Sequence, residues 1–285
     1  MQPALAWSFS RSRLYKLCPR AFYFAHIKKS ILSDYEAAIS LRSLLGLSVH
    51  YGISQELSRW AKGHRPDAHR AEEAAEAYIL NNWEHRNQNI IEIRNGLNPN
   101  LDLVSKLRAK ASHLLRDFFR FTWPRFEIMQ YILHEKIKTF SIGNIEVRVQ
   151  VDLCTKNDTE EIVITDWKTG RTPIDPDTFQ LNVYALWAKN EFQVPVDKIL
   201  TQIVNIRTGA FFIIPTLEQN LLSTVDQIKS EAYIWIGNGE AEYATIPELV
   251  KCLSCPFLVV CSEGSKQISP DPDLMKTVLF DENLF

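Results

Sequence analysis

No run of about 18 apolar residues occurs in this 285-residue sequence, which leaves no candidate for a membrane-spanning helix and no expected membrane partner. The first residues, MQPALAWSFSRSRLYKL, lack the charged start, apolar centre and small-residue cleavage site of a secretory leader, so a cytoplasmic protein is expected. Neither sign of charge prevails. With 32 basic against 34 acidic residues the net charge is −2, and any attraction for nucleic acid must come from a local field. No repeat period and no low-complexity tract is present. Cysteine is scarce and odd in number, five in all, which argues against a disulfide framework and leaves metal ligation or chance. Apolar residues are ample at 46%, with 23% charged, enough for a full core without cross-links. At ~150 residues per domain the length suits two domains or one large one.

Residues 1–33 carry Arg11, Arg13, Lys16, Arg20, Lys28 and Lys29 and no acidic group. Ser10 is placed to cap a short helix through Leu17, with Pro19 limiting its continuation. From about residue 34 to 123 the pattern is helical. Leu41, Leu44, Leu45, Val49, Ile53, Leu57 and Trp60 follow the 3.6 period, with Gly46 the weak spot. An Ala- and Glu-rich helix (AEEAAEAYIL) follows, then the breaker NGLNPN, then a helix with Leu101, Val104, Leu107, Ala111, Leu114, Leu115 and Phe118 as its buried stripe.

After Pro124 the period falls to two. Residues 126–140 read as one strand, SIGN as a turn, IEVRVQVDLC as a second strand, KNDTEE as a turn and EIVITDWK as a third strand. A helix from near Asp177, a strand (ILTQIVNI), a turn at Arg207-Thr208-Gly209, a strand (AFFIIP) and a helix from about Leu217 to Trp235 complete the pattern. The expectation is an α/β fold with a sandwich-like core, carrying a helical insertion over 34–123 and an α/β core over 124–236 within a single domain, 1–285.

Asp166 and Lys168 are two apart on an expected strand and leave one face. Asp152 sits on the strand before. If the strands pair, both carboxylates converge, and one must stay protonated unless a cation neutralises them. An oxygen-preferring ion, Mg²⁺ or Mn²⁺, resolves that conflict. Lys168 beside it would orient a water or steady charge on a phosphate oxygen. The plain alternative is a solvated strand-end ion pair, as most Asp-x-Lys pairs are. The full arrangement is more particular: a lone Asp on one strand, Asp166-Trp167-Lys168-Thr169-Gly170 ending the next, then Gln180 and Tyr184 one helical turn apart.

These residues resemble the RecB-like branch of the PD-(D/E)xK nuclease superfamily, and Gly46-Leu47-Ser48-Val49-His50 is similar to that branch's upstream glycine–histidine helix. The resemblance spans the chain from its first cysteine to its last. It implies a restriction-endonuclease-like core with a mixed central sheet. It also implies a metal held by His50, Asp152, Asp166 and the main-chain carbonyl of Trp167, with Lys168 as catalytic lysine alongside Asp166 and Asp152. Gln180 and Tyr184 are then expected to contact DNA or position Lys168. Two departures stand out: Gln150 occupies a place where many members have glycine, and the helical insertion is large. Without its neighbours His50 reads as a packed helix histidine, and Gln180 and Tyr184 as rim residues of an amphipathic helix. Glu135, where members often carry an acid, ranks below the other ligands because an edge-strand charge needs no function.

Cys252, Cys255 and Cys261 fall within ten residues as C-x₂-C-P-F-x₃-C, close enough to converge on one centre. Cys18 resembles the distal N-terminal cysteine of the iron–sulfur members, which include the nuclease part of AddB and the CRISPR-associated exonucleases. The resemblance implies a [4Fe–4S] cluster on Cys18 and the 250–262 segment, clamping the two ends of the chain. A structural zinc is the rival, and buried cysteines by chance the third reading. Cys154 is expected to be an unligated strand residue. The function expected is a metal-dependent DNA exonuclease acting on single strands or DNA ends in repair, with a helicase partner. The alternatives are a CRISPR adaptation nuclease working beside the integrase, and a non-catalytic iron–sulfur module that binds DNA ends.

Overall fold

The computed structural model describes residues 6–28, 38–86, 90–94, 101–170, 178–235 and 242–266. The breaker at 95–100 lies outside them. Two compact units form. The first comprises Met1–Phe9, Val49–Ala75 and Ala111–Ile236, and the second Ser10–Ser48, Glu76–Lys110 and Gly237–Phe285.

In the first unit a three-stranded sheet has the order β1-β4-β3, from β1 (Trp7–Ser8), β3 (Ile137–Ile142) and β4 (Ile145–Gln150). A five-stranded sheet has the order β2-β5-β6-β7-β8, from β2 (Gln130–Leu133), β5 (Leu153–Lys156), β6 (Ile162–Lys168), β7 (Ile199–Asn205) and β8 (Ala210–Pro215). The larger sheet is mixed: β6 and β7 run parallel and every other pair is antiparallel. A parallel pair needs a long crossover. Here it contains the helix Thr178–Phe192, which packs against β3 and β4 of the small sheet and β6 and β7 of the large one. Leu181, Val183, Ala185, Trp187 and Ala188 are buried on several sides of it for that reason.

Two expected strands are each split in two. The 126–140 run breaks at His134-Glu135-Lys136, where Glu135 takes φ 47°, and its halves pair in different sheets. The 145–154 run breaks at Val151-Asp152, with β4 in one sheet and β5 in the other. Alternation of apolar and polar side chains survives a change of sheet, so periodicity alone does not reveal it. The Glu135 amide donates to the Val151 carbonyl at 2.9 Å, which ties the two breaks together.

Among the helices, α1 (Phe9–Leu17) starts before Ser10, so that residue lies in the first turn and is not its cap. Pro19 opens α2 (Pro19–His26) at its first position, where a missing N–H costs nothing. The two long periodic runs form α3 (Leu41–Trp60) and α6 (Leu101–Asp117), with α4 (Ala68–Arg86) and the short α5 (Ile91–Arg94) between them. A π-turn, Phe118–Thr122, extends α6, and Phe118 and Phe126 each pack edge-on to Trp167 at 5.2 Å between centroids. The crossover helix Thr178–Phe192 is α7, and α8 runs Glu218–Ile234. In the second unit α9 (Leu249–Leu253) and α10 (Ser262–Ser265) flank the cysteine-bearing turn. No helix among the described residues is long and apolar enough to cross a membrane.

Candidate metal centre

The paired strand breaks in the first unit set the carboxylates. Asp152 follows the end of β4 and opens toward β6, where its Oδ2 accepts the Trp167 amide at 2.6 Å. Glu135 lies on the other break. On α3, His50 presents Nδ1 3.5 Å from Asp152 Oδ1 and 3.7 Å from Glu135 Oε1. One ligand atom from each of His50, Glu135 and Asp152 falls within 4.8 Å of the other two.

Asp166 stands beside this group at the end of β6, 3% exposed. Its Oδ1 accepts the Gln180 amide at 3.0 Å and lies 3.5 Å from the Tyr184 hydroxyl. Its Oδ2 forms an ion pair with Lys168 Nζ at 2.6 Å. Lys168 also donates to Gln180 Oε1 at 3.2 Å. Gln180 donates to the Tyr184 oxygen at 2.6 Å, and Tyr184 donates to the Gln150 carbonyl at 3.1 Å. The helical spacing of Gln180 and Tyr184 thus brings both to one carboxylate.

Charge in this group is unbalanced. Burial and then the Asp152 carboxylate raise Asp166 to about 6, against the opposing pull of Lys168 and His50. Burial alone would lower His50, but Asp152 and Glu135 outweigh it and raise the imidazole to about 10. Burial, then Asp166 and Asp152, keep the Tyr184 phenol protonated well above its ordinary range, so it acts only as a neutral hydrogen-bonding group. One imidazole and three carboxylates, one of them paired with Lys168, form a donor set that suits a hard divalent cation.

The predicted residues His50, Asp152, Asp166, Lys168, Gln180 and Tyr184 all lie in this one unit, along with the backbone of Trp167, whose indole points to the other face of β6. Glu135, ranked by sequence below the other ligands, falls in the same group as His50 and Asp152. The signal was present as the polar triplet His134-Glu135-Lys136 interrupting the alternation. That bend is pinned by His134, which bonds Ser58 Oγ on α3 at 3.1 Å and the Tyr131 hydroxyl at 2.9 Å.

In the second unit Cys18, Cys252, Cys255 and Cys261 line one cavity of about 260 Å³ with Leu14, Phe24, Phe257 and Leu258. All are free thiols. Burial pushes Cys255 up to about 12, with the Cys18, Cys261 and Cys252 thiols adding to the shift. Cys154 belongs to the first unit, buried in β5 opposite Ile164 and raised to about 12 by burial.

Among known structures, the crystal structure of SSO0001 is similar at 14% identity over 90% of this chain and 97% of that one, with a TM-score of 0.34. No curated protein matches. The family model of the PD-(D/E)XK nuclease superfamily matches residues 6–262, a span that takes in His50, both strand breaks, the Asp166-Trp167-Lys168 strand end and all five cysteines. The chain belongs to the PD-(D/E)XK nuclease superfamily, whose members are metal-dependent nucleases, and its mixed α/β architecture is that superfamily's restriction-endonuclease-like fold.

Proposed function

We propose that this protein is a RecB-like, metal-dependent DNA exonuclease acting on single strands or DNA ends. The observation that carries this reading is the meeting of His50, Glu135 and Asp152 beside the Asp166–Lys168 pair. His50, Asp152 and Asp166 would hold the divalent ion, with Glu135 as a further carboxylate. When bound there, Mg²⁺ or Mn²⁺ would supply an acidified water and neutralising charge for the scissile phosphate. Lys168, on the solvent side of Asp166, orients the nucleophile and steadies charge on the phosphate oxygens. Gln180 and Tyr184 fix the rotamer of Asp166 through Oδ1, and Oδ2 faces Lys168.

The same reading gives the second unit a [4Fe–4S] cluster on Cys18, Cys252, Cys255 and Cys261. It is supported by the one cavity that the four thiols line and by the influence of the other three on Cys255. Zinc is the competing occupant, and iron content with the visible spectrum of anaerobically purified protein separates the two.

The test of catalysis uses end-labelled single-stranded DNA with Mn²⁺. Wild type is expected to release mononucleotides or short products, and Asp166→Asn and Lys168→Ala to lose at least ~100-fold in rate with an unchanged circular dichroism spectrum. Wild-type rates in both variants would end the catalytic assignment.

A further inference from the structure

Gln150 is the last residue of β4 and lies on the exposed side of the first unit, so burial gives no reason for its side chain to adopt one position. It nevertheless makes a defined set of bonds. Its Nε2 donates to Glu135 Oε2 at 2.7 Å and approaches the Glu135 carbonyl oxygen at 3.4 Å. Its own carbonyl accepts the Tyr184 hydroxyl at 3.1 Å. The next residue's carbonyl accepts the Glu135 amide. The Glu135 bend is thus held through backbone by Val151 and through side chain by Gln150.

The consequence lies in which carboxylate oxygen is occupied. With Oε2 engaged by the amide, Oε1 is the oxygen turned to His50, 3.7 Å from Nδ1. A glutamate has three rotatable side-chain bonds, and a ligand that must be ordered on binding loses affinity to that entropy. An amide donor on the second oxygen removes part of that penalty and sets a one-oxygen presentation. Glycine at 150 could make no such bond.

We propose that Gln150 is a positioning residue of the metal site, its amide locking Glu135 so that Oε1 alone faces the ion. This rests on the reading of the His50–Glu135–Asp152 group as a metal centre. Outer partners of metal ligands typically change affinity about 10–100-fold when removed.

The test is Mn²⁺ titration of the full chain followed by the electron paramagnetic resonance of free Mn²⁺, for wild type, Gln150→Met, Glu135→Gln and the double variant. Methionine matches the length of glutamine and lacks the donor, and the exposed position keeps the fold, which a thermal melt checks. Gln150→Met is expected to weaken Mn²⁺ binding about tenfold and to do nothing further in the Glu135→Gln background. In cleavage assays the half-saturating Mn²⁺ concentration rises while kcat at saturating metal stays within about twofold. Wild-type affinity in Gln150→Met, or an equal loss with and without Glu135, overturns the positioning role. Absence of Mn²⁺ binding by wild type overturns the metal-centre reading itself.

Discussion

The His50 imidazole carries a proton at neutral pH in the metal-free protein, because two carboxylates raise it to about 10. A nitrogen that binds a metal must be deprotonated, so an ion bound at His50 would expel that proton. Between the ordinary value near 6.5 and the raised value, Mn²⁺ affinity should rise about tenfold per pH unit. Titrations at pH 6.5, 7.5 and 8.5 measure the slope, and His50→Ala should flatten it. The same shift fixes the sign of metal-free stability. A raised pKa stabilises the folded state below 6.5 and that contribution is lost as pH rises toward 10. Asp166, raised from 3.8 to about 6, acts likewise in its own window, so stability falls as its buried carboxyl ionises between those values. Denaturant melts without metal should show both declines, and saturating Mn²⁺ should reverse them. Metal-free stability that rises across pH 6.5–9 would contradict this assignment.

At the scale of elements, the site depends on two strands changing sheets at neighbouring positions and on α3 lying against them. The alternation of IEVRVQVDLC and the Asp166–Lys168 face were legible in the sequence, because strand side chains keep a period of two. The break at Asp152 was not, since which sheet a strand joins depends on partners far away in sequence. Gly52 shows a similar limit. It is an ordinary helix position by pattern, but a Cβ there would sit 2.5 Å from the Ala71 carbonyl oxygen of α4. Gly52→Ala gains about 1 kcal/mol of helix propensity and meets backbone that cannot yield without moving a helix. Overpacking of that kind costs about 1–3 kcal/mol. Urea denaturation should therefore show a net loss of stability despite the better helix former. A gain would mean that α3 and α4 part easily.

Glu56, also on α3, is 2% exposed and accepts two bonds from Arg70, at 3.1 Å each, and the Asp67 amide at 2.8 Å. Removing one partner leaves a buried charge short of donors. Arg70→Met should lower the urea midpoint in the same experiment, with Glu56→Gln in that background recovering part of the loss. Equal stability of wild type and Arg70→Met would show that the Asp67 amide and Arg59, 3.7 Å from Glu56 Oε1, suffice.

At the scale of the whole molecule, Cys18 and Cys252 are far apart in sequence and share one cavity. A centre joining them closes a loop whose entropy is on the order of 5 kcal/mol. Cys255→Ser should lose bound metal and visible absorption. It should also lower the thermal midpoint of the second unit, read by limited proteolysis between Gly237 and the C-terminus. If the purified protein holds no metal and Cys255→Ser melts as wild type does, the four thiols are only packed side chains.

The sequence by itself determined which residue types bear the chemistry. Composition required a full core, strand alternation put Asp166 and Lys168 on one face, and helical spacing put Gln180 and Tyr184 one turn apart. Those are local regularities of the backbone, set by periods of 2 and 3.6. Tertiary structure alone decided that His50 meets Asp152, that Glu135 joins them, and that Gln150 reaches Glu135. Each of those contacts joins residues on different elements, and chain closure and packing, not local geometry, bring such residues together.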